Sequence, residues 1–413
     1  MGEHAGKEEG KIKRAIAISG GGPTVGIAIG ALKALQKENI QFDVYTCACI
    51  GSWAACIYLS KTGKESEEGI QHLTEVYENS FRNDKLYESY PFADFFQFDP
   101  WHYAARSLQK FFEPNTYQNL LAPLPAFVEF TKKWAQKPVL NLSDMKTFLN
   151  DFLPLHPYAR FLNEIIWKSQ LCGLVNQPDA EALAKDKIDF ERLCEAEPFV
   201  YTNAYNLNNH ELEMFANKDK KYNPITAETL MAGSSLPYIY EPRRIGKDWY
   251  CEGATVDTVN FKDLVKNHKD LDEVWVLKIV DYQQLEKPDN LVEGLSNFPM
   301  IFANTVGDDD IKLFRYHLLE EGKLDTQYDE HEVRIDGSAE ELKLWRGKKW
   351  PPMGKETIKL ITIRVNYGRD KNSKVNFEWN QGNLHKGITV GEESAMKRIK
   401  DYRNYCSHLS SSK

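Results

Sequence analysis

CACIGSW, residues 47–53, follows the strand-like segment FDVYT and runs directly into AACIYLSKTG, a helix-like segment closed by Gly63. A strand that converts to a helix through Cys49, Ile50 and Gly51 holds the side chain at 49 on a tight turn, backed by the unpaired amides of the first helical turn. The backbone of such a turn passes close to its neighbours, and Gly51, Ser52, Ala54 and Ala55 supply the small residues this requires. The layout is that of a nucleophile elbow, with the Cys49 thiol as the reactive group.

Upstream, KRAIAIS (13–19) has the short apolar pattern of a buried strand, which Gly20, Gly21 and Gly22 end abruptly. GIAIGALKALQKE (26–38) then places Ile29, Leu32 and Leu35 at helical spacing, with Gly26 and Gly30 expected to let the helix pack closely on a sheet. Two successive strand–turn–helix units imply a right-handed parallel crossover, with both turns at the carboxyl edge of the sheet. Further strands are expected at PFVYTNAYN (198–206), DEVWVLKIV (272–280) and KLITIRVNY (359–367), a helix start at GDDDIKLF (307–314), and a closing helix at EESAMKRIKDYRNY (392–405).

The chain has 413 residues, 42% hydrophobic and 27% charged, and a formal net charge of −8. Those values fit one elaborated α/β domain over 11–405, with disordered tails at 1–10 and 406–413. Between 87 and 175 the texture changes to aromatic-rich amphipathic stretches such as PLPAFVEFTKKWA, read as a helical insertion whose helices either face a core in the ordinary way or form a lid or the wall of an apolar acyl channel, or rest on a lipid interface. The negative balance, without basic runs interleaved with aromatics, argues against a nucleic-acid partner. The start lacks an apolar signal core, no segment has the length of a membrane span, and Gly6 stands where a myristoylation pattern needs Ser or Thr, so a cytoplasmic location, or a peripheral one on a membrane, is expected. Seven cysteines without framework spacing read as reduced thiols. No zinc-type spacing is present, so no metal and no cofactor are expected. His102, His331 and His385 fall in no triad-like pattern.

The glycine loop alone serves either phosphate binding or oxyanion stabilisation, but Val25 spoils a dinucleotide fingerprint and no GK[ST] follows. The order SGGG (19–22), GALKAL (30–35), CACIGS (47–52), GSSLP (233–237) and EGA (252–254) resembles the patatin-like phospholipase family. The resemblance implies a three-layer α/β fold with a mostly parallel central sheet flanked by helices. It puts the nucleophile on Cys49 and the partner carboxylate on Glu252, with an oxyanion hole from Gly20, Gly21, Gly22 and Ile50. Cys49 stands where the family has Ser, Glu252 where it has Asp, Cys47 where the elbow has its first Gly, and Thr24 and Val25 where the loop has a basic residue and Gly.

Ser52 and Asp257 are the secondary candidates for nucleophile and base; Ser52 fits poorly, because an elbow centred there needs Gly at positions held by Ile50 and Ala54. A helix N-terminus is expected to lower the Cys49 pKa toward neutrality, while two adjacent anions favour a Cys49–Glu252 pair sharing one proton. The implied activity is cleavage of a fatty-acyl ester or thioester through acyl-Cys49. The alternatives are an acyltransferase passing the acyl group to a non-water acceptor, and a non-catalytic lipid- or acyl-carrier-binding module. A redox protein using Cys47 and Cys49 is disfavoured, because a CxC on a strand lacks helix-start geometry. An acyl-carrier protein or a membrane surface is the further partner compatible with this reading.

Overall fold

The computed structural model describes residues 12–81, parts of 105–160, 173–175, 179–285, 287–289, 291–336, 356–365, 367 and 374–411. Internal contacts divide the chain into two compact units, one of Met1–Gln97, Gln177–Pro237 and Pro242–Lys413, the other of Phe98–Asn176 with Tyr238–Glu241.

The larger unit is built on a sheet of nine strands among the described residues. In chain order its main elements are β1 (Arg14–Ile18), α1 (Val25–Lys37), β2 (Val44–Cys47), α2 (Ile50–Ser60), α3 (Glu67–Ser80), β3 (Phe199–Asn206), β4 (Glu211–Ala216) and β5 (Asn223–Pro224). They continue with α4 (Ala227–Gly233), β6 (Arg243–Ile245), β7 (Asp248–Glu252), β8 (Glu273–Lys278), α5 (Leu291–Glu320), α6 (Thr326–Asp336), β9 (Lys359–Arg364) and α7 (Gln381–Ser411). The strand order is β9-β8-β1-β2-β3-β4-β5, parallel from β9 through β3, with β4 antiparallel to β3 and the β6–β7 hairpin joined to β3 through β7.

Successive side chains of a strand point to opposite faces, so each central strand has two apolar faces to bury. On one face Ala15, Ala17, Val274, Val276 and Leu360 join Ile311, Phe314 and Leu318 of α5 in a single core cluster. On the other, Trp275 meets Tyr402 of α7, ring centroids 5.5 Å apart. Helices on both faces of a mostly parallel sheet give the three layers. Full burial of each large aliphatic or aromatic side chain in such layers is worth about 1.5–3 kcal/mol.

Three local expectations are corrected. Gly26 and Gly30 close on a helix, not on the sheet: a Cβ at Gly30 would lie 1.9 Å from the Ile388 carbonyl oxygen, and one at Gly391 2.1 Å from that of Ile27. Small residues on both sides thus let α1 and α7 touch backbone to backbone. The run 307–314 is the interior of α5, not its start. Two of its acids serve tertiary partners instead of a helix dipole: Asp308 binds the Lys278 ammonium at 2.6 Å, and Asp310 accepts from the Thr258 amide at 2.7 Å. Finally, α7 continues through Ser411, so 406–411 are helical where a disordered tail was expected. Tyr405 holds the preceding turn against Tyr328 and His331, at centroid distances of 5.1 and 4.7 Å.

The smaller unit, which overlaps the range of the expected 87–175 insertion, contains helices Leu124–Ala135 and Leu142–Phe152 and a parallel pair of short strands, Gly173–Val175 and Tyr238–Tyr240. Phe130, Trp134, Phe148 and Phe152 make its aromatic cluster, while Phe127, Met145, Leu149 and Leu153 stay exposed. Residues 87–104, 106–107, 110–111, 116–123, 136–141, 157–158 and 161–172 of the expected insertion, and residues 1–11 and 412–413, lie outside the described residues.

Candidate active site

The site arises from an unusual use of one strand edge. β1 and β2 are parallel and in step, Ile18 opposite Cys47, so the glycine loop after β1 and the turn after β2 leave the sheet side by side. The Ala48 amide bonds the Ile18 carbonyl at 3.2 Å and fixes that alignment. β2 pairs with β3 only as far as Thr46 opposite Tyr201, because the chain then turns into α2. The same edge of β3 is taken up again by β7, running the other way, with Tyr250 opposite Asn206 and Glu252 opposite Ala204. Two strands therefore approach each other end to end along β3, one finishing at Cys47 and the other at Glu252.

Cys49, the N-cap of α2, adopts φ 49° and ψ −126°. Positive φ in a residue with a Cβ costs roughly 1–3 kcal/mol and persists only where the surroundings impose it. They do so here. Gly51 lies so close beneath β1 that a Cβ would stand 2.6 Å from the Ile18 carbonyl oxygen and 2.8 Å from that of Ser19. A Cβ on Gly20 would lie 3.1 Å from the Cβ atoms of both Cys49 and Ala254, which shows how tightly the glycine loop, the elbow and the segment after Glu252 converge. The Glu252 amide donates to the Ser235 carbonyl at 3.0 Å, tying the end of β7 to the GSSLP segment.

The Cys49 thiol and the Glu252 carboxyl interact, each shifting the other's titration, and the amides of Ile50 and Gly21 act on the thiol in the sense that favours its thiolate. Glu252 is 6% exposed, and its Oε2 has no hydrogen-bond partner among the described residues. Burial pushes this carboxyl up from 4.5 to about 7, with the Cys49 hydrogen bond opposing the rise. Burial also pushes the Cys49 thiol well above its ordinary range, reinforced by the charge and hydrogen bond of Glu252 and only partly offset by the two amides. The expected fall in thiol pKa is therefore reversed, because a neighbouring carboxylate and lost hydration outweigh one helix N-terminus. Both groups are thus pushed toward their protonated forms, where the sequence suggested a single proton shared between two anions. Cys49 itself is half-buried.

The other candidates fall into place around this pair. Gly20 is removed as an oxyanion donor, since its amide is spent on the Thr258 carbonyl at 3.1 Å. The amides of Gly21 and Ile50 both act to lower the Cys49 thiol pKa, and Gly22, φ 54°, opens the following turn. Ser52 sits inside the first turn of α2, 3% exposed, its hydroxyl without a hydrogen-bond partner among the described residues. Asp257 caps its own turn, accepting from the amides of Asn260 at 2.5 Å and Phe261 at 3.4 Å, and burial raises its pKa. Asp310, raised to about 7 by burial and by Asp257, clamps the same turn from α5. Neither Ser52 nor Asp257 bonds the thiol. Among the described residues no group of three or more His, Cys, Asp or Glu is placed to hold a metal, and no helix is long and apolar enough to cross a membrane.

Sequence reading missed Asn203 and Asn260, which join the facing strand ends. Their only local signal is that Asn tolerates the left-handed φ of 64° found at 260.

A glycine loop and a strained strand-to-helix turn, side by side at the carboxyl edge of a mostly parallel sheet with helices on both faces, define a three-layer α/β protein. The particular family follows from a match of residues 16–265 to the model for patatin-like phospholipases: the chain belongs to the patatin-like phospholipase family. Among solved structures it is similar to VipD from Legionella pneumophila, at 13% identity and TM-score 0.35, covering 95% of this chain and 67% of that one. It is similar also to human GIVD cytosolic phospholipase A2, at 9% identity and TM-score 0.40, covering 96% of this chain and 63% of the human one. A search of curated proteins gives no match.

Proposed function

We propose that the chain is a lipolytic acyl hydrolase that cleaves a fatty-acyl ester or thioester through an acyl-Cys49 intermediate, with Glu252 as its partner carboxylate. The observation that carries this reading is the strained φ of Cys49 at a turn crowded against the glycine loop and the segment after Glu252, with the buried Glu252 carboxyl and the amides of Gly21 and Ile50 acting electrostatically on the thiol. Strain that the surroundings enforce on a half-buried cysteine, within a family of phospholipases, favours chemistry over packing.

The raised Glu252 pKa makes it a stronger base than an ordinary carboxylate, which narrows the gap to the thiol proton it must take. As sulfur attacks the acyl carbonyl carbon, the thiol proton passes to Glu252. The carbonyl oxygen gains charge and is held by the amides of Gly21 and Ile50, with Gly22 as the next donor along the loop. Collapse breaks the bond to the leaving alkoxide or thiolate, which takes the proton from Glu252. Water then gives a proton to Glu252 and attacks the thioester carbon, and the Cys49 thiolate leaves and recovers that proton.

Intact-mass measurement after incubation with long-chain acyl esters and thioesters tests this. The wild type should gain one acyl mass and release free fatty acid, and Cys49→Ala should gain none; an undiminished adduct on Cys49→Ala would refute the nucleophile. Acyl groups recovered on an added amine or thiol, in place of free acid, would establish transfer as the reaction.

A further inference from the structure

The gap where β2 and β7 face each other along β3 is filled by one side chain. Asn260 donates from Nδ2 to the Cys47 carbonyl at 2.9 Å and to the Tyr201 carbonyl at 3.4 Å. Its Oδ1 accepts from Nδ2 of Asn203 at 3.1 Å, and Asn203 also donates to the Asp257 carbonyl at 3.0 Å. The Asn260 carbonyl accepts from the Thr46 hydroxyl, and its amide is held by Asp257 at 2.5 Å. Asn203 in turn lies across Gly253, the residue after Glu252, so closely that a Cβ there would meet Oδ1 at 2.4 Å. Asn260 is fully buried and Asn203 1% exposed.

This network contacts the last residue of β2, two before Cys49, and the residue immediately after Glu252. β2 and β7 do not pair with each other, so hydrogen bonds of a ladder do not set the distance between their ends. We propose that Asn260 is a positioning residue, which with Asn203 sets the Cys49–Glu252 spacing by bonding the end of β2 to the turn that follows β7. A local structural role alone would need only an αL-tolerant residue at 260; the side-chain amide that reaches β2, β3 and Asn203 at once does more. This inference rests on the proposed Cys49 chemistry for its consequence in turnover, but not for its geometric content.

Two measurements on the full chain keep these apart. The rate of Cys49 alkylation by iodoacetamide, followed by peptide mass spectrometry from pH 7 up to the alkaline limit at which the fold persists, reports the thiol's electrostatic coupling to Glu252 without any turnover. Asn260→Gly keeps the backbone conformation and deletes the amide, Asn260→Asp keeps the shape and deletes both donors, and Thr46→Val removes a single bond. Glu252→Gln is the reference in which the coupling is absent. The alkylation midpoint in Asn260→Gly and Asn260→Asp should move downward toward that of Glu252→Gln, with Thr46→Val moving less, and acyl-adduct formation should fall by about tenfold to a hundredfold. Alkylation midpoints equal to wild type in Thr46→Val and in either folded Asn260 variant would overturn the proposal, whether or not the wild type forms an acyl adduct. Absence of an adduct in the wild type, with the midpoints shifted as expected, would instead count against the acyl-Cys49 reaction alone.

Discussion

If Glu252 receives the thiol proton, acylation should follow its ionisation. With its pKa at about 7, the ionised fraction rises from roughly 1% at pH 5 to roughly half at pH 7, so the rate should climb about fiftyfold over that interval and level off above it. A carboxyl left at 4.5 would already be mostly ionised at pH 5, and the rate would change by less than about twofold. The thiol does not blur this, because burial and Glu252 hold it well above the whole interval. The assay is single-turnover formation of the acyl adduct, quenched in acid and quantified by intact mass at half-unit steps of pH. Glu252→Gln should be slower throughout and should lose the inflection. A wild-type rate varying less than about twofold between pH 5 and 7, or an inflection that survives in Glu252→Gln, would refute the assignment of Glu252 as base.

The same ionisation should appear in stability. A carboxyl raised from 4.5 to about 7 in the fold makes the native state the better proton binder, so its contribution is complete below 4.5 and is lost as pH rises through 7. Glu252→Gln should therefore match wild type near pH 4 and exceed it above pH 8 by up to about 3 kcal/mol in denaturant titrations, whereas a constant difference across pH would contradict the buried charge. Ser52→Ala should leave acylation unchanged and raise stability by at most about 1 kcal/mol, since it deletes a buried hydroxyl that has no partner among the described residues; loss of the adduct would return Ser52 to candidacy. Gly30→Ala drives a methyl into the Ile388 carbonyl oxygen, where a Cβ would stand at 1.9 Å, and should lower the melting temperature by several degrees, at a cost of about 1–3 kcal/mol. An unchanged melting temperature would mean that α1 and α7 are not in backbone contact.

Local sequence carried the elements that make the site. The alternation in RAIAI and VYTC, the glycines after Ile18 and the strand-to-helix change at Cys49 are short-range patterns, and β1, the glycine turn, β2 and α2 appear where those patterns put them. Family motifs added Glu252, a residue that nothing near it in the chain marks as special. What neighbours in sequence could not specify was which groups each part would meet. The Gly20 amide faces Thr258, 238 residues away along the chain, so a donor that looks free in a glycine loop is occupied. Gly26 and Gly30 meet a helix from the far end of the chain, and Asp308 and Asp310 answer a buried lysine and a distant turn. The direction of the Cys49 shift was likewise a tertiary matter, since hydration and a carboxyl brought in by β7 are absent from any local reading. Above all, β2 and β7 share one edge of β3 without pairing with each other. That placement depends on strand register between segments about 200 residues apart, which only the packed sheet fixes.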